Sequence, residues 1–410
     1  MRVLWFSVTP SLFNPKTNSH NGGGWIASLE QIIRKEKEIE LGVAFQFPDS
    51  EFKYEKDGVC YYPIPKYKLS RLERLCRKDN KNKLLIYCKR VIDDFHPDLI
   101  HIFGSENDFG LLCQHTKIPI VIHIQGSLPP IYNAWFPVGM NRYDFVFTKG
   151  LSWKRRLSEL LIESTFHRSA ELEVQTIQHC HYFMGRTAWD KGIVSLFNPD
   201  ATYFHCEEAL RDSFMQGKKY WSIPTENKVK IVSIISPPFY KGVDLILKTS
   251  NLLKRFTTLD FKWHIYGTCD IRLYEYKYGI RASEVNVKAM GTASKEELVD
   301  VLCASTLYVH PSYIDNSPNS VCEAQLLGLP VIATNVGGLS SIIRDGETGI
   351  LVPANAPYTL AFLIKQLSAD SERCQQLSFA ARKQAAERHN PEKIRNTVLD
   401  IYKTILSNRS

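Results

Sequence analysis

Thr306-Leu-Tyr-Val-His310-Pro-Ser312-Tyr-Ile-Asp315-Asn-Ser-Pro-Asn-Ser320-Val-Cys-Glu323-Ala-Gln-Leu-Leu327-Gly-Leu-Pro-Val331-Ile-Ala-Thr334 contains a complete βαβ unit. It reads as an apolar strand over 306–310, a loop of turn-forming residues, a short helix over 320–327 and a second apolar strand over 331–334. Strands that are apolar throughout and joined through a helix belong to a parallel sheet covered on both faces. The same rhythm continues on either side. Further strands are expected over 229–235, 261–266, 285–288 and 350–352, with helices over 242–255, 295–304, 339–344 and 357–368. Upstream, strands are expected over 3–8, 42–47, 59–63, 99–103 and 120–124. The expected fold class is α/β, with two doubly wound parallel-sheet domains.

The polar, proline-containing stretch Ser222-Ile-Pro-Thr-Glu-Asn-Lys228 separates the two series. It sets expected domains of 1–222 and 223–388. Helices over 371–388 and 391–407 precede no strand, so residues 389–410 are expected to pack back on the N-terminal domain.

Composition narrows the function classes. The chain has 410 residues, 44% hydrophobic and 23% charged, which excludes a disordered or fibrous protein. No apolar run approaches the roughly 18–20 residues of a membrane span. The opening Met1-Arg-Val-Leu-Trp-Phe-Ser-Val8 is too short for a signal peptide and reads as a first strand. Ten cysteines include no Cys-x-x-Cys pair, so buried thiols in a reducing cytosol are expected. His179/His181 and His205/Cys206 have no second pair at matching spacing, and no metal is expected. Lys and Arg number 51 against 43 Asp and Glu, a net charge of +8. That excess suits an anionic partner, either a phosphate-bearing small molecule or the inner face of a membrane. No aromatic-interleaved basic patch accompanies it, and nucleic acid is not expected. Residues 66–90 hold ten Lys/Arg against Glu73 and Asp79, interleaved with leucines. This segment is either a solvated helix face or a contact with anionic lipid or a lipid-linked acceptor.

Five constellations fall where α/β sheets hold ligands, between a strand's carboxyl end and the next helix. They are Asn21-Gly-Gly23-Gly24-Trp25, Val121-Ile-His123-Ile-Gln-Gly126, Ser236-Pro-Pro-Phe-Tyr-Lys241-Gly242, Asp315 through Glu323, and Thr334-Asn-Val-Gly337-Gly338. A lysine beside a helix N-terminus suits a pyrophosphate. Two carboxylates around such a terminus suit a ligand bearing both phosphate and vicinal hydroxyls.

The order and spacing from Val229 to about Ala361 resemble the donor half of the family-four retaining glycosyltransferases, which have the GT-B fold. The residues that carry the likeness are Lys241-Gly242, Gly267, Pro311-Ser312, Asp315 and Glu323 with seven residues between them, Gly337-Gly338 and Asp345-Gly346-Glu-Thr-Gly349. The resemblance implies two Rossmann-like domains facing across a cleft, with C-terminal helices crossing back. Lys241 would then bind the donor diphosphate, Asp315 the transferred sugar and Glu323 the ribose hydroxyls. Asn319, Ser320 and Val321 would offer backbone N–H groups, and the base would lie near Gly291. In the first half, Gly23 or Gly24 would face the diphosphate and His123 the sugar hydroxyls. This sequence departs from the family in having Asp315 for the usual Glu, Ser236 for the usual Arg, and Pro318 where a glycine usually supplies an N–H. Arg186 is a candidate replacement cation.

The function implied is retaining transfer from a nucleotide diphosphate sugar to a glycan or lipid-linked acceptor, in surface polysaccharide or glycoconjugate biosynthesis. It would need no obligatory metal, and the enzyme would be cytoplasmic and peripheral to the inner membrane face. A GT-B sugar-nucleotide epimerase or hydrolase and a non-catalytic two-domain sugar-binding protein are the alternatives.

Overall fold

The computed structural model describes residues 1–13, 24–47, 52–65, 81–147, 153–217, 219–237 and 239–408. Two compact units emerge. The first comprises Met1–Leu128, Ser169–Arg211 and His389–Ser410, the second Pro129–Arg168 and Asp212–Arg388. This corrects the expected linear division: the change of unit falls at Arg211 rather than at residue 222, and residues 129–168 group with the second unit. The reason lies in contacts distant in sequence. Trp135 packs against Phe166, Phe239 and Tyr240, and Lys277 Nζ meets Asp144 Oδ1 at 2.5 Å.

The first unit is built on an eight-stranded sheet. Its strands are β1 (Arg2–Ser7), β2 (Glu40–Phe47), β3 (Tyr54–Lys56), β4 (Val59–Pro65), β5 (Leu99–Phe103), β6 (Ile120–His123), β7 (Tyr182–Gly185) and β8 (Thr202–His205). Their order is β3-β4-β2-β1-β5-β6-β7-β8, and only β3 runs antiparallel to its neighbour. The sequence reading missed β3, although Asp57-Gly58, both at positive φ, is a strong hairpin signal. It also missed β7 and β8, four residues each and bordered by polar groups.

Side-chain alternation along β1 sorts the core. Val3 and Trp5 face a cluster with Trp25, Val398 and Tyr402, whereas Leu4 and Phe6 face one with Leu84, Val91 and Phe95. In helix Lys81–Phe95 the residues Leu84, Cys88, Val91 and Phe95 form the buried stripe, with Lys83, Lys89 and Arg90 exposed. That stretch of the basic segment therefore covers the sheet in the ordinary amphipathic way, and residues 66–80 lie outside the described residues. No helix among the described residues is long and apolar enough to cross a membrane.

Glu173, on helix Trp153–His179, is 1% exposed. It accepts hydrogen bonds from Ser105 Oγ and, at 2.5 Å, from the Leu128 N–H. Burial pushes its pKa up to about 8, aided by the charge of Glu106, while those hydrogen bonds oppose the rise.

The second unit carries β9 (Val229–Ile234), β10 (Phe261–Tyr266), β11 (Val287–Gly291), β12 (Leu307–His310), β13 (Val331–Thr334) and β14 (Ile350–Val352). All pairings are parallel, in the order β11-β10-β9-β12-β13-β14. This is the dinucleotide-fold order 3-2-1-4-5-6, whose direction reverses between β9 and β12.

A carboxyl with a raised native pKa stabilises the fold fully below its unfolded value of 4.5, and that contribution is lost as pH rises through about 8. Urea unfolding should therefore show stability declining from about pH 5 to about pH 9, with a shallower decline in Glu173→Gln. Parallel profiles for the two proteins would contradict this.

Candidate functional site

The chemistry of the second unit gathers where its strand order reverses. The loop after β9 delivers Lys241, and the loop after β12 delivers Asp315. Lys241 Nζ lies 2.6 Å from Asp315 Oδ2, both side chains being 15% exposed. His310, the last residue of β12, brings its Nε2 to 3.0 Å from the same oxygen. A carboxylate can only accept, so that nitrogen carries the proton. The Asn316 N–H donates to Oδ1 at 3.2 Å. Burial opposes the charge on Asp315, yet Lys241 and His310 hold its carboxyl well below the usual carboxylate range. The sequence reading quoted His310 without selecting it. Its position at a strand end, five residues before the acid, was the available signal.

The loops are laced together through their backbones. The Tyr313 N–H donates to Tyr240 O at 2.6 Å, and the Gly338 N–H donates to Asp315 O at 3.0 Å. Tyr313 Oη donates to Asp244 Oδ2 at 2.8 Å. Such close approach requires glycine at two points. A Cβ on Gly242 (φ +78°) would lie 2.0 Å from Pro311 O, and one on Gly337 (φ +54°) would lie 1.8 Å from Asp315 O.

Helix Asn319–Leu327 begins beside this pair. Pro318 occupies the N-cap position and no side chain caps the helix. One correction concerns Val321. Its N–H donates to Pro318 O at 2.9 Å, so it is spent inside the first turn. Asn319 and Ser320, as the first two helical residues, have no carbonyl one turn back to receive their N–H groups. Glu323 is 2% exposed and lies one turn beyond Asn319 on the same helix face. Asn319 Oδ1 is buried with no partner among the described residues. An ammonium, a helix N-terminus and inward carboxylates make a setting for an anionic ligand that also bears hydroxyls.

The remaining expected residues are dispersed. Ser236 is exposed in the loop after β9. The Gly267 N–H donates to Gly291 O at 2.8 Å, joining the ends of β10 and β11. In the first unit, Gly24 opens helix Gly24–Ile33, and Gly23 lies outside the described residues. His123 ends β6, 1% exposed, with no hydrogen-bond partner at either ring nitrogen among the described residues. Arg186 does not supply a free cation. Its guanidinium is 4% exposed, pairs with Glu208 at 2.5 Å and donates to Gln125 O at 3.3 Å. Among the described residues no group of three or more His, Cys, Asp or Glu side chains is arranged to hold a metal ion.

With this geometry in hand, known proteins can be compared. Residues 220–384 match the family model of glycosyl transferases group 1. The D-inositol 3-phosphate glycosyltransferase of Streptomyces bingchenggensis is 35% identical over 131 residues, 32% of this chain and 28% of that protein. The protein of the same name from Corynebacterium diphtheriae is 39% identical over 100 residues, 24% of this chain and 23% of that protein. The chain thus spans about a quarter of the length of these curated relatives. Among solved structures, sucrose-phosphate synthase from Thermosynechococcus elongatus aligns over 100% of both chains with a TM-score of 0.74 at 15% identity. Anabaena HepE, solved with UDP and glucose, aligns over 98% of this chain and 100% of its own with a TM-score of 0.66 at 13% identity. WaaG, a glycosyltransferase involved in lipopolysaccharide biosynthesis, aligns over 96% and 98% with a TM-score of 0.65 at 14% identity. The fold is GT-B. The GT-B architecture accounts for the paired Rossmann-like units, and the family-model match covers the unit that carries Lys241, Asp315 and Glu323.

Substituting Gly337 or Gly242 with Ala should cost about 1–3 kcal/mol each in urea unfolding, because both strain and backbone overlap oppose the methyl group. Gly192→Ala, within helix Ala188–Phe197 and with nothing inside 4 Å of the new carbon, should instead stabilise by about 0.4–1 kcal/mol. Equal effects at all three sites would refute the close-approach argument.

Proposed function

We propose that this chain is a retaining glycosyltransferase of family four, transferring a sugar from a nucleotide diphosphate sugar to a glycan or lipid-linked acceptor. The observation that carries the reading is the half-buried Lys241–Asp315 contact at 2.6 Å, set beside the uncapped start of the helix that holds Glu323. Lys241 and the N–H groups of Asn319 and Ser320 stabilise the departing diphosphate. Asp315 receives a hydroxyl of the transferred sugar near its reacting face, and Glu323 takes the ribose hydroxyls. Gly267 and Gly291 border the base, Gly24 contributes a backbone approach to phosphate, and His123 meets a sugar hydroxyl. The acceptor's proton leaves on the diphosphate oxygen as the new bond forms on the same face. No metal-borne step is part of this scheme.

UDP-glucose is the first donor to test, because the structural relative HepE was solved with UDP and glucose. The acceptor class belongs with surface polysaccharide or glycoconjugate assembly at the cytoplasmic membrane face, a setting supported by the net charge of +8 and by the likeness to WaaG.

Lys241→Ala and Glu323→Ala should each lower kcat/KM by about 10²–10³-fold, the scale of losing one preorganised charge-stabilising group, with far-ultraviolet circular dichroism unchanged. Near-normal turnover in either folded variant would overturn the assignment. UDP at a hundredfold excess over its Kd should add about 2.7 kcal/mol to stability. No shift with uridine, guanosine or adenosine diphosphate would reject a nucleotide-sugar enzyme. Proton NMR of the product should show the donor's anomeric configuration, and an inverted product would overturn retention. Release of free nucleotide, or an interconverted sugar nucleotide, without any acceptor would favour the epimerase or hydrolase.

A further inference from the structure

A run of hydrogen bonds in the first unit joins the end of the chain to the middle of its sheet. Trp5 Nε1 lies 3.1 Å from Tyr402 Oη, which lies 2.6 Å from His101 Nδ1. The indole N–H can only donate, so the phenol oxygen accepts it, and the phenol's own proton is left to meet Nδ1. In that arrangement Nδ1 is the acceptor and the neutral ring carries its hydrogen on Nε2, which is buried with no partner among the described residues. Burial drives the His101 pKa down to about 3, so the ring stays neutral.

This ring stacks on Phe103, with centroids 4.1 Å apart. It lies nearly parallel to His123, at 5.5 Å and 17°. Trp25 stands edge-on to His123 at 4.9 Å and 69°. Among the described residues His123 has no hydrogen-bond partner at Nδ1 or Nε2, and its ring plane is set against these aromatic neighbours. Burial drives the His123 pKa well below its ordinary value, and a neutral imidazole offers one donor and one acceptor. A hydroxyl, which both donates and accepts, satisfies that pair; a phosphate, which only accepts, does not.

We propose that Tyr402 and His101 are positioning residues for His123. The phenol on the C-terminal helix fixes the tautomer and ring plane of His101, and that plane holds His123 with its nitrogens turned to a ligand hydroxyl. The sugar part of this inference rests on the role proposed above for His123. The tautomer part does not.

The test uses the full chain. In nitrogen-15 spectra of histidine-labelled wild type, His101 should be the Nε2–H tautomer and should not titrate between about pH 5 and about pH 9. An Nδ1–H ring, or a titrating one, overturns the proposal. Tyr402→Phe should mix the His101 tautomers and weaken UDP-glucose binding about tenfold, the scale of a hydrogen bond lost at one remove, with UDP affinity unchanged. Unaltered UDP-glucose affinity, or an equal loss for UDP, overturns positioning. Should that variant fail to fold, His101→Asn retains an acceptor for the phenol but removes the ring, and the same selective loss is expected. His123→Ala separates the two layers. If it binds UDP-glucose as wild type does, the sugar role of His123 falls, while the wild-type tautomer still judges the Tyr402–His101 link.

Discussion

The contact between Lys241 and Asp315 is the interaction on which the second unit's site depends. It forms because β9 and β12 are neighbours where the strand order reverses, so the loops leaving them meet at the carboxyl edge of the sheet. Burying two charges costs several kcal/mol of hydration per ion, which attraction offsets only when the geometry is good and hydrogen bonds satisfy what remains. Here His310 and the Asn316 N–H complete the carboxylate. The backbone around it is pressed close enough that only glycine fits at positions 242 and 337. An ammonium already held in place needs little reorganisation when an anion arrives, which is the physical basis of preorganised charge stabilisation.

The first unit solves a similar architecture differently. Its buried polar groups are largely neutral or paired internally. Arg186 is matched by Glu208, burial makes Glu173 hard to ionise, and His101 and His123 are kept uncharged.

How legible was this in the sequence? Strands β5, β10, β13 and β14 stand where the sequence put them: β5 and β13 are buried along their whole length and mostly apolar, whereas β10 alternates buried and half-buried residues. Strands β7 and β8 were missed because His181, Arg186, Thr202 and His205 border or end their short apolar runs, whereas β6, β12 and β13, equally short, are more continuously apolar. Lys241, Asp315 and Glu323 were legible as a spaced set, because strand, loop and helix lengths fix their positions locally. The pairing of Arg186 with Glu208 was not legible, because a cation in sequence carries no mark of the carboxylate that will bury it.

Periodicity and turn chemistry thus determined the two-sheet α/β plan and the strand–loop–helix sites where a ligand would sit, since those depend on neighbours a few residues apart. Tertiary structure alone decided that residues 129–168 pack with the second unit, that Tyr402 reaches His101 across 301 positions, and that Arg186 is neutralised by Glu208. Each of these is a contact between distant segments, chosen by packing and desolvation in the assembled core, and no local pattern encodes it.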